Sequence, residues 1–159
     1  NSIISWIGEC DVQLGHMVDL EDKIANSKIC GKEMLHFIVE FFDSFLLAAV
    51  ALQRLFASLV KDQIFLLSLS HTLVREGDDL YYVFEGGRRK LSISISSKSS
   101  VSCMIHFAIN ITNEGTPVPT LSLNDLKIDD AQLFSEKILK SFADEFETIL
   151  EATTKVKPL

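Results

Sequence analysis

The stretch IFLLSLSHTLVREGDDLYYVFEGGRRKLSISISSKSSVSCMIHFAINIT, residues 64–112, decides the fold. In its second half Leu91, Ile93 and Ile95 alternate with Ser92, Ser94 and Ser96. Val101, Cys103, Ile105, Phe107, Ile109 and Ile111 then alternate with Ser102, Met104, His106, Ala108 and Asn110. Successive side chains of a strand point to opposite faces, so both runs predict strands with an apolar side and a wet side. Leu67, Leu69 and Leu73, alternating with Ser68, Ser70 and Thr72, predict another strand, and the aromatic, β-branched residues 80–84 a fourth. The breaks at Glu76-Gly77-Asp78-Asp79, at Gly86-Gly87 and over residues 96–100 are short enough for hairpins, which makes neighbours antiparallel. Such a three- to four-stranded meander has to bury its apolar face against something else.

Beyond it, Gly115-Thr116-Pro117-Val118-Pro119 must be irregular, because proline cannot donate to a ladder and restricts the residue before it. Asp129 followed by Gln132 has capping-box spacing. The line Phe134, Ile138, Phe142, Phe146 and Ile149 after it predicts an amphipathic C-terminal helix that covers the meander.

On the other side, residues 2–26 carry Ile3, Ile4, Ile7, Leu14, Met17, Val18 and Ile24 at roughly helical spacing. Over residues 32–61 a polar stripe of Glu33, His36, Glu40, Asp43, Arg54, Ser58 and Lys61, continued by Leu47 and Ala51 where polarity lapses, recurs every three or four positions. These patterns predict two helices. The expected class is therefore α+β: a helical hairpin or stalk over residues 1–50, a sheet-and-helix domain over residues 51–154, and a tail over residues 155–159. The second helix would carry more apolar surface than one small sheet covers, so Phe41, Phe45 and Leu52 are candidate partner-binding residues. Its longest uncharged run, residues 45–52, is shorter than the roughly 20 residues of a membrane span.

The formal charge of −7 argues against nucleic acid as a partner. Arg88-Arg89-Lys90 is the one concentrated basic patch, which makes Arg88 and Arg89 candidates for an acidic peptide. His106 falls on the polar side of its strand and is a further binding candidate. Cys10, Cys30 and Cys103 are odd in number and widely spaced, which fits a reducing, intracellular setting. Asn110-Ile111-Thr112 matches a glycosylation sequon but lies inside a predicted strand. Cys103 reads as an inert core thiol, the four histidines have no zinc spacing, and Gly86-Gly87 lacks the flanks of a phosphate loop. No catalytic residue, metal or cofactor is expected, and the chain reads as a protein-interaction domain, not an enzyme.

Leu67-Ser68-Leu69-Ser70, Glu76-Gly77-Asp78-Asp79, Lys90-Leu91-Ser92-Ile93-Ser94-Ile95 and the prolines ahead of the last helix resemble an RWD domain over about residues 50–152. More narrowly they resemble the RWD modules at the C-terminal end of the outer-kinetochore scaffold blinkin. Pro117-Val118-Pro119 stands where many RWD domains have Tyr-Pro-x-x-x-Pro. The resemblance implies a non-catalytic docking role at the kinetochore, a nuclear, chromosomal or otherwise cytoplasmic location, and a hetero-oligomer with the MIND complex or a coiled-coil companion. RWD domains are similar in fold to ubiquitin-conjugating enzymes, and no reactive cysteine after a His-Pro-Asn segment is present, so an inactive version of that fold is one alternative. A longin-like trafficking or assembly adaptor is the other.

Overall fold

Residues 92–98 and 102–110 form adjacent strands as their alternation predicts, but their neighbours come from the other end of the chain. The computed structural model describes residues 1–68 and 73–157. Its main sheet is antiparallel throughout, built from β1 (Ser2–Val12), β2 (Ile29–Phe42), β6 (Ser92–Lys98) and β7 (Ser102–Asn110) in the order β1-β2-β7-β6. The long connection from β1 to β2 holds a 3-10 turn and a short helix, α1 (Leu20–Ala25). Asp19 caps α1 by accepting from the amides of Glu21 and Asp22, and Asn26 closes it in the left-handed region at φ 53°.

Two long helices, α2 (Leu46–Leu67) and α3 (Ala131–Thr154), pack against one face of this sheet. Phe56 of α2 stands at the centre, with its ring about 5 Å from those of Phe37 in β2, Phe107 in β7 and Phe142 in α3. Offset and edge-on contacts of this kind add to the burial of large apolar area. A second, three-stranded meander of β3 (Leu73–Glu76), β4 (Asp79–Phe84) and β5 (Gly87–Lys90) is turned by Gly77 and Gly86 at positive φ. It is tied to the main sheet where the Leu91 amide donates to the Leu80 carbonyl at 2.8 Å.

The α+β class, the antiparallel pairing and the C-terminal helix stand. The helical hairpin over residues 1–50 does not: residues 2–12 and 29–42 are strands. In β1 the β-branched Ile3, Ile4 and Ile7 mimic helical spacing because both sides of the strand carry isoleucine. In β2 the run Met34, Leu35, His36, Phe37, Ile38, Val39 is apolar on both sides, as befits a strand inside the sheet, and the polar stripe is a coincidence of spacing. The predicted single meander is split between two sheets. Its first strand is corrected at Leu67 and Ser68, which belong to the end of α2 and its cap. The Leu69, Ser70 and Thr72 of that strand lie outside the described residues.

The wet and greasy sides of β6 are also exchanged. Ser94 pairs with Phe107, on the side facing the helices, and its hydroxyl donates to the His106 carbonyl. Ser92 is buried and accepts from the Leu80 amide, while Ile93 and Ile95 lie on the opposite face. The serines let α2 approach closely: buried Gln53 donates to Ser94 Oγ at 2.8 Å and to Asp78 Oδ2 at 2.7 Å. Burial pushes the Asp78 carboxyl up, with Asp79 adding to the effect. Asn110, the sequon residue, is buried and donates to the carbonyls of Lys90 and Leu121. The helix cap is Asp130, one residue beyond the predicted Asp129, accepting from the Leu133 amide at 2.8 Å.

Candidate functional site

Both long helices lie on one side of the main sheet and leave the other side free of them. That open face is written by the alternate residues of four strands: Ile4 and Trp6 from β1, His36 and Ile38 from β2, Met104 and His106 from β7, Ile93 and Ile95 from β6. At its centre Trp6 is the direct cross-strand partner of His36, whose neighbour on the far side is the small Ala108. Ala108 leaves room for the ring of His106, two residues along β7, to reach across to His36.

The result is a flat, three-ring platform. His36 Nδ1 and His106 Nε2 are 3.0 Å apart, the ring centroids are 5.3 Å apart and the planes differ by 6°. That is the geometry of two imidazoles joined edge to edge through one N–H···N bond. The Trp6 indole lies parallel over the pair, its centroid 4.9 Å from that of His36 and 6.5 Å from that of His106. His36 is buried beneath it, whereas Trp6 itself is 43% exposed. Gly8, two residues on, fits the indole closely, for a Cβ there would stand 3.4 Å from its ring.

Burial lowers the pKa of both imidazoles. For His106 the fall reaches about 4, with the neighbouring His36 adding to it, and for His36 a hydrogen bond to the Gly8 carbonyl partly opposes it. Both rings are therefore neutral at neutral pH. One end of the face is filled by Cys10, Met34 and Ala108, and burial, followed by Cys30 and Asp11, pushes the Cys10 thiol up. At the other end Ser102 Oγ donates to Glu40 Oε1 at 2.7 Å. Among the described residues no three His, Cys, Asp or Glu side chains cluster as metal ligands, and no helix is long and apolar enough to cross a membrane.

Of the residues singled out in the sequence, only His106 belongs to this face. Phe41 is buried in the core against Phe146, Leu52 is partly buried beside it, and Phe45 is exposed at the start of α2. Arg88 is paired with Glu76 at 2.7 Å on the small sheet, and Arg89 lies over the Phe84 ring. Arg89 also lines a surface concavity of about 340 Å³ with Asn113, Thr116 and Thr120. The polar groups of that concavity are already bonded to one another: Thr116 donates to the Asn113 carbonyl, Thr120 to Asn113 Oδ1, and Asn113 to Asp125. A narrower crevice of about 250 Å³ between β1, β2 and α3 is lined chiefly by Ile3, Phe41, Phe142 and Phe146 and is an extension of the core. Trp6 carried no signal in the sequence, and His36 only that of one member of a polar stripe. They stand 30 positions apart in a region that reads as helix, and only the pairing of β1 with β2 brings them together.

An antiparallel sheet with two helices on one side is similar in fold to the biotin protein ligases. The Aquifex aeolicus biotin protein ligase in complex with biotin and ATP superposes with a TM-score of 0.59 at 16% identity, over 77% of this chain and 54% of that one. At that identity the likeness concerns the fold. The chain belongs to the family described as domain of unknown function DUF366, which it matches over residues 1–157. It is 34% identical to an uncharacterized protein of Methanocaldococcus jannaschii, over 100% of this chain and 72% of that protein. A protein of unknown function from Pyrococcus horikoshi superposes with a TM-score of 0.88 at 32% identity, over 99% of this chain and 81% of that one.

These relatives overturn the RWD reading. They are archaeal proteins, from cells with neither nucleus nor kinetochore, so the resemblance to the blinkin modules, the docking role, the MIND complex or coiled-coil companion as hetero-oligomeric partners, and the nuclear location all fall. Of the short matches that suggested them, residues 76–79 form a hairpin turn and residues 90–95 run from β5 into β6, features that many antiparallel sheets share.

Proposed function

We propose that this chain is a small-molecule-binding domain of the biotin-ligase fold that seats a planar ligand ring on Trp6, at the centre of the open face of its main sheet. The observation that carries the reading is the indole itself. It is held flat by two coplanar imidazoles beneath it, with its outer side uncovered, on a sheet face that the helices leave free. Exposing an aromatic ring while locking its orientation is what a stacking platform requires. The surrounding Ile4, Ile38, Ile95 and Met104 supply an apolar rim.

Binding without chemistry is the form of this reading that the face favours. The polar groups at its centre are two neutral imidazoles, and Glu40 toward one end is bonded to Ser102. Cys103 lies on the helix side, fully buried. The ligands to try first are those held by the Aquifex aeolicus ligase, biotin and ATP.

Trp6 is the only tryptophan of the chain, so its emission reports on this face alone. Titration with ATP or biotin is expected to change the Trp6 emission saturably, and the affinity is expected to fall at least about tenfold in W6L, as for removal of one base-stacking ring. Calorimetric binding that leaves the Trp6 emission unmoved, or no binding of either ligand, would overturn the reading.

A further inference from the structure

β1 is an outer strand of the main sheet, and its free edge is long, regular and apolar. Among the described residues it pairs with β2 alone, so on its other side every second residue turns an N–H and a C=O outward with no strand to receive them. Residues 2–8 run in unbroken register with β2, and the ladder shifts only between Gly8 and Cys10. Sheets that stay single blunt such an edge with lysine, proline or a bulge within the run. Residues 2–8 hold no charged residue and no proline, and Ile4, Trp6 and Ile7 are 56%, 43% and 44% exposed.

We propose that β1 pairs antiparallel with β1 of a second copy of this chain, about a two-fold axis through Ser5, joining two four-stranded sheets into one of eight strands. The occupant is a second copy because the run is complementary to itself. Ser5 is the midpoint of residues 2–8, and pairing about it sets Ile4 opposite Trp6 and Ile3 opposite Ile7, twice each. Every large side chain of the edge then meets an apolar one on its own face of the sheet. At the axis the side chain is small, and Ser5 Oγ is held toward α3 by Ser135 Oγ at 2.9 Å.

Charge selects the same arrangement. Glu9 and Asp11 lie beyond the regular run, so antiparallel pairing carries the acidic ends of the two copies apart, whereas parallel pairing sets them side by side. The crevice of about 250 Å³ adds a third match. Ile3 lines it together with Phe142, Phe146 and Leu150, and the pairing brings Ile7 of the second copy next to Ile3 on that side of the sheet. On the open face, Ile4 of the second copy comes beside the indole of Trp6 and continues its apolar rim. The pairing does not depend on what that face binds.

Sedimentation equilibrium of the full chain is expected to give twice 17.8 kDa. I7K sets a lysine against Ile3 on both sides of the axis, and it is expected to weaken association at least about tenfold with the circular dichroism spectrum unchanged. F65K, at an exposed position of α2, is expected to leave association as it is. Isotope-filtered NMR on a mixture of labelled and unlabelled parent chain needs no variant. It is expected to show contacts between Ile3 of one copy and Ile7 of the other. A parent chain that stays monomeric up to about 1 mM overturns the proposal. So does a dimer that I7K leaves as tight or that F65K weakens equally, and so do intermolecular contacts confined to the helices or the small meander.

Discussion

A buried pair of neutral imidazoles has a price in acid, and the sign follows from the direction of the shift. The unfolded chain takes up a proton at His106 near its ordinary pKa of 6.5, whereas the folded chain resists until about 4. The unfolded state thus binds more protons through that interval, and stability present above about pH 6.5 is lost progressively as the pH falls toward 4. From this group the loss is expected to be roughly 2–3 kcal/mol, with His36, also lowered by burial, adding in the same direction. Urea midpoints measured at about pH 7 and about pH 4.5 should show this slope in the parent chain and a shallower one in H106Q; an unchanged slope would contradict the assignment. Of the three rings only His106 was legible in the sequence, because its strand alternates cleanly and puts it on a definite side. His36 was visible only as a member of a polar stripe, and Trp6 not at all. A platform made from three strands has no local pattern to read.

At the scale of elements, α2 carries two contrasting phenylalanines. Phe56 is fully buried among three other rings, whereas Phe65 is 61% exposed. Phe56→Ala is expected to cost about 3–5 kcal/mol in urea unfolding, and Phe65→Ala to stay within about 0.5 kcal/mol. Gln53→Leu is expected to cost about 1–3 kcal/mol, because it leaves Ser94 and the half-buried Asp78 without their donor. A chain as stable as the parent would show that this joint between α2, β6 and the β3–β4 turn contributes little. The elements that could be read, β7 and α3, are those with one buried face and a strict period. The apolar line of Phe134, Ile138 and Phe142 is buried as the sequence predicts. The elements that misled are those buried differently. β2 is apolar on both sides because it lies within the sheet, and β6 turns its serines toward a helix that comes close enough to bond them.

For the whole molecule, the decisive feature is the ladder of β2 on β7, which joins residues 34–42 to residues 102–110. Pairings across such a separation leave no trace in local periodicity, so the α+β class could be read from the sequence and the topology could not. The error in strand order also hid the candidate site: with residues 1–50 set aside as a helical stalk, the sheet lost the two strands that carry Trp6 and His36. The small meander β3-β4-β5, whose residues were read as part of one four-stranded sheet with residues 91–111, is an appendage fixed through Leu80 and Leu91. The central claim is that the uncovered face of the β1-β2-β7-β6 sheet is a ligand seat, and amide NMR of the labelled chain during titration with ATP and with biotin tests it most directly. The account predicts shifts centred on Trp6, His36 and His106 and fading toward α2 and α3; shifts confined to the helices or to the small meander, or none with either ligand, would contradict it.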